Sequence, residues 1–72
     1  MFSRITAGDV QPGWIIREAK NADNFQVTSV QRNPKTVWIF GTLYTTHGPM
    51  NYTLRPRFGR KLWRVISWFI IE

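Results

Sequence analysis

Five cations fall within the ten residues Arg55-Pro56-Arg57-Phe58-Gly59-Arg60-Lys61-Leu62-Trp63-Arg64, interleaved with Phe58 and Trp63. Four of the five are Arg, whose planar guanidinium meets phosphate or carboxylate oxygens two at a time. Phosphate-seeking charge beside ring faces is the chemistry of nucleic-acid binding, where bases stack on aromatics. The candidate contacts are Arg55, Arg57, Phe58, Arg60, Lys61 and Arg64, with Arg32 and Lys35 added from a neighbouring turn. The competing reading is a solvated hairpin loop with Trp63 buried in the core.

A second set lies in residues 36–44. There Val37, Ile39 and Leu43 share one parity, while Trp38, Phe40 and Tyr44 share the other. As a strand this segment is aliphatic on one face and aromatic on the opposite one. Three uses compete for the rings: a stacking platform, a homodimer interface, or a face covered by Phe2 and Ile5 or by Trp68 and Phe69.

Catalysis is not expected. His47 is the single histidine and cysteine is absent, so no metal set and no thiol chemistry can be composed. The four carboxylates form no close pair, and no nucleophile turn surrounds the serines. Gly8 to Gly13 lacks the preceding strand and following helix of a phosphate-cradling loop. No cofactor is implied.

Charge placement favours an anionic partner. Arg4, Arg17 and Lys20 balance Asp9, Glu18 and Asp23 in the first 23 residues, whereas residues 24–71 contain no acid at all within a net charge of +6. Such a region attracts DNA or RNA, an acidic protein surface or anionic lipid. The plainer alternative is charge that only keeps the protein dispersed.

The elements that must position these residues are short strands. Seventy-two residues suit one small domain, 1–72, that buries roughly 60% of its surface. Pro12-Gly13 fits the centre of a type II turn, leading to a strand over 14–20. Residues 25–32 follow, with a parity shift that places a bulge near Thr28-Ser29. Asn33-Pro34-Lys35 turns the chain into 36–44, where Gly41 marks a bend. Residues 45–49 form a loop, 50–55 a strand ended by Pro56, and 63–66 a strand. The expected core is Val37, Ile39, Leu43, Leu54, Val65, Val27 and Ile16.

Residues 60–72 fit two templates. Leu62, Val65, Ile66 and Phe69 have helical spacing, which would make a basic amphipathic helix for a membrane surface. Their β-branched and Trp content favours a strand, a short irregular or helical turn near Ser67 and a closing extended piece. The start shows no apolar leader, and the run 65–71 is too short to span a bilayer. Absent cysteine fits a reducing cytoplasm.

Gly8-Asp9 with Pro12-Gly13 ahead of the first strand, and Thr53-Leu54-Arg55-Pro56 leading into Leu62-Trp63-Arg64-Val65-Ile66, resemble the small SH3-like barrel proteins of bacteria and their phages. The loop before the final strand departs from that pattern in being basic. The resemblance implies a five-stranded antiparallel barrel that binds peptides or nucleic acid on exposed aromatics or strand edges. Two functions follow as expectations: a phosphate-contacting nucleic-acid binder of little sequence specificity, or a phage-encoded factor docking on an acidic surface of a host protein.

Overall fold

The computed structural model describes residues 2–66. Six strands form one antiparallel sheet: β1 (Phe2–Thr6), β2 (Ile15–Arg17), β3 (Asn24–Arg32), β4 (Val37–Thr45), β5 (Gly48–Leu54) and β6 (Lys61–Val65), in the spatial order β1-β6-β2-β3-β4-β5. The count exceeds the expected five by β1. Its residues combine β-formers with Ser3 and Arg4, and only the ladder with β6, from Phe2↔Val65 to Thr6↔Lys61, holds them extended. Hydrogen-bonded pairing ends at β1 on one side and β5 on the other, so the sheet is not closed.

The turns follow their local chemistry. Trp14 N–H donates to the Gln11 carbonyl across Pro12-Gly13, and Gly13 has a φ of 92°, the conformation that the third position of a type II turn requires. The expected loop at 45–49 contracts to a two-residue turn, with Thr45 opposite Gly48. Thr45 Oγ1 donates to the Gly48 carbonyl at 2.8 Å and accepts from the His47 N–H at 3.1 Å. The β3–β4 register shifts between Val27 and Ser29, where the parity of the sequence placed a bulge.

Residues between β5 and β6 tie distant parts of the sheet together. Val37 N–H donates to the Pro56 carbonyl at 2.9 Å, and Thr36 bridges Arg57. A few residues later, the Phe58 and Arg60 carbonyls accept from Gly8 and Ala7 N–H. Arg32, at the end of β3, donates to the carbonyls of Gly8 and Val10 at 3.0 to 3.3 Å. These bonds bring the β3–β4 end against the 3₁₀ turn Ala7–Asp9 and enclose one core.

That core holds Ala7, Val10, Ile16, Phe25, Val27, Val37, Ile39, Leu54 and Leu62. Leu43 packs at its margin. Val65 is a correction: it stands between Phe2 and Ile15, the opposite parity from buried Leu62. Trp63 shares the parity of Val65 and is half-buried, so it is not a core residue. Ile5 packs on the core, whereas Phe2 is exposed and covers none of the β4 rings. Lys61–Val65 is strand and not helix. The turn near Ser67, the extended piece after it, and Trp68 and Phe69 lie outside the described residues.

Candidate nucleic-acid interface

Strand β4 presents its two parities as its sequence implies. Val37 and Ile39 are fully buried, so alternation turns Trp38, Phe40 and Tyr44 to the outer face. Trp38 and Phe40 meet edge to face with ring centroids 6.3 Å apart, a geometry that the ring quadrupoles favour. Tyr44 is 47% exposed and donates its hydroxyl proton to Gln26 Oε1 at 3.2 Å.

The basic residues divide into three groups. Arg55 follows β5 directly, and the pair Ile39↔Leu54 sets it beside Trp38. Its guanidinium lies 4.7 Å from the Trp38 ring centroid, close enough for a cation–π contact that leaves the N–H edge facing solvent. The Thr36–Arg57 bridge brings exposed Arg57 against the turn that carries exposed Lys35. Arg55, Arg57 and Lys35 therefore border the Trp38–Phe40 pair at one end of β4. Beside them a groove of about 580 Å³ runs over Thr28, Phe40, Gly41, Asn51, Tyr52, Thr53 and Arg55.

A second group serves the fold. Arg32 spends its donors on the Gly8 and Val10 carbonyls. Phe58 packs against the core, and its Cδ1 stands 3.0 Å from where a Cβ on Gly8 would lie. Arg64 lies across the Trp14 ring at 3.9 Å with its Nε buried. Its parity is that of core residue Leu62, opposite to Lys61 and Trp63.

The third group faces another way. Arg60 pairs with Glu18 at 3.6 Å, both half exposed, a contact worth under ~1 kcal/mol. Lys61 is exposed on β6 opposite Thr6. The ten-residue basic stretch thus splits by strand parity and by the crossing between β5 and β6, and only Arg55 and Arg57 join the β4 rings.

Among the described residues no cluster of His, Cys, Asp and Glu could hold a metal ion. No helix among them is long and apolar enough to cross a membrane. No family model matches this chain, and neither a curated protein nor a solved structure is significantly similar to it.

Sequence reasoning missed Arg4, Arg17 and Lys20, whose charges it cancelled against nearby acids. In space Glu18 turns to Arg60, and Asp9 accepts from the Thr6 hydroxyl at 2.7 Å. The signal that could have exposed these cations is the clash of parities in 2–6, where Phe2 and Ile5 cannot both face a core.

Proposed function

We propose that the chain is a small SH3-like, incompletely closed barrel that binds single-stranded DNA or RNA through the outer face of β4, with little sequence specificity. The observation that carries this reading is the Trp38–Phe40 pair under Arg55, on a face that no described element covers. Unpaired bases offer ring faces to such a pair, while Arg55, Arg57 and Lys35 contact phosphates on either side. Phosphate contacts position a strand without reading its bases, and no described helix is available to enter a duplex groove. The barrel reading draws support from the last strand lying beside the first of the β2–β3–β4–β5 meander. The bonds from residues 56–60 to the start of β4 and to the turn after β1 add to it.

The test is a fluorescence titration with single-stranded DNA, duplex DNA and RNA over a range of salt. Each lost phosphate contact flattens the slope of log K against log salt by ~0.7 on a single strand. Arg55→Ala with Arg57→Ala should flatten it by about 1.4, for every base sequence alike. Trp38→Ala should weaken binding by ~1–3 kcal/mol, the worth of one base–ring stack. Affinity unchanged in both variants would overturn the reading. Absence of binding to every polymer would favour docking on an acidic protein surface, tested by pull-down after nuclease treatment.

A further inference from the structure

The outer face of β1, β6 and β2 gathers a second set of cations around an aromatic ring. Arg4, Trp63 and Arg17 stand opposite one another on adjacent strands, so alternation sends all three side chains to the same face. The Arg4 guanidinium lies 4.6 Å and the Lys20 ammonium 4.8 Å from the Trp63 ring centroid. Phe2 meets Trp63 edge-on at 6.3 Å, with Arg17 4.9 Å above the Phe2 ring. Arg17 is held in place by donating to Asn24 Oδ1 and to the Lys20 carbonyl.

Among the described residues, three cations crowd this face without a counter-ion. The acids nearest in sequence are Asp9, Glu18 and Asp23; Asp9 accepts from the Thr6 hydroxyl, Glu18 contacts Arg60, and no carboxylate among the described residues pairs with Arg4, Arg17 or Lys20. Stacking on a ring orders a cation without using its N–H groups. Arg4 and Lys20 accordingly have free donors on the described surface.

This face is continuous with the one on β4. Phe2, Val65, Ile15, Gln26, Thr42 and Asn51 stand opposite one another in turn across all six strands. In the adjoining row, Trp63 opposes Arg17, Arg17 bonds Asn24, and Asn24 opposes Tyr44. At a strand spacing of ~4.8 Å, Trp63 and Tyr44 are separated by three intervals, or ~14 Å along the sheet. Tyr44 in turn lies six residues along β4 from Trp38, about 20 Å. A single polymer can follow both legs.

We propose that the Arg4–Trp63–Lys20 face is a second phosphate-contact site, so that one nucleic-acid strand runs from Trp38 past Tyr44 to Trp63. This rests on the function proposed above and adds a path and a longer footprint to it. An extended footprint suits a sheet whose rings are spread over several strands, since stacking on successive rings is tolerant of sequence.

The experiment follows the Trp indole N–H resonances by heteronuclear NMR, assigned with single Trp→Phe variants, during titration with a mixed-sequence single-stranded DNA of ~16 nucleotides. The Trp38 and Trp63 resonances should move together at one midpoint. Arg4→Ala with Lys20→Ala, surface changes that leave the core intact, should flatten the salt slope by about 1.4, which at ~0.1 M salt is on the order of a 25-fold loss in affinity. Movement of Trp38 alone, or an unchanged slope in that double variant, overturns the second site and leaves the first standing. Movement of Trp63 alone overturns the shared path and removes the β4 site. If neither resonance moves, the nucleic-acid function itself fails.

Discussion

Replacing Gly41 tests the part of the fold on which the β4 face depends. A Cβ at this position would lie 2.0 Å from the Gln26 carbonyl oxygen, 2.9 Å from its carbon and 3.0 Å from Phe25 Cε2. Gln26 cannot yield alone, because it sits between Phe25 and Val27, each 1% exposed in the core. A methyl group here must push strand β3 away from β4 beside the bulge, lengthening ladder hydrogen bonds or shifting both core side chains. Overpacking in a rigid interior costs about 1–3 kcal/mol, and backbone displacement adds lost hydrogen bonds at about 1 kcal/mol each. Gly41→Ala should therefore destabilise by about 3 kcal/mol, a large fraction of the ~4–11 kcal/mol that a chain of this length commands. At 4–8 °C per kcal/mol, Tm should fall by roughly 12–24 °C. Gly59→Ala is the control, since nothing lies within 4 Å of its added Cβ and the change should stay within about 0.5 kcal/mol. Urea and thermal unfolding followed by Trp fluorescence measure both. A Gly41→Ala protein as stable as the Gly59→Ala protein would refute the close β3–β4 approach at Gly41.

Further outcomes separate structural from binding roles. Arg32→Ala removes donors to two backbone carbonyls and should cost about 1–2 kcal/mol in chemical denaturation. It should also leave the salt slope of binding unchanged, and a flattened slope would return Arg32 to the phosphate contacts. Phe58→Ala should lower stability by about 2–3 kcal/mol, below the full cost of a buried Phe because the ring is partly exposed. A drop in affinity at intact stability would instead make Phe58 a stacking ring. Glu18→Gln breaks a half-exposed ion pair and should move stability by less than about 0.5 kcal/mol. It frees Arg60, so polyanion affinity should hold or rise slightly; a marked fall would show that Glu18 orders the surface.

Much of the local structure is legible in the linear order of residues. Alternation in 36–44 separated buried Val37 and Ile39 from the outer rings, the parity slip at Thr28-Ser29 marked the bulge, and Pro12-Gly13 named its turn. These features depend on neighbours within a few residues, which a linear reading can see. The division of the basic stretch was decided only by tertiary structure. Arg55 meets Trp38 through the β4–β5 pairing, whereas Arg60 meets Glu18 and Arg64 meets Trp14 because β6 leaves β5 and inserts between β1 and β2. The same insertion put Leu62 in the core, turned Val65 outward and brought Arg4 and Arg17 to either side of Trp63. Parity fixes which residues of a strand share a face, but which face meets the core depends on the strand's neighbours in the sheet. Here those neighbours are contributed from the far end of the chain.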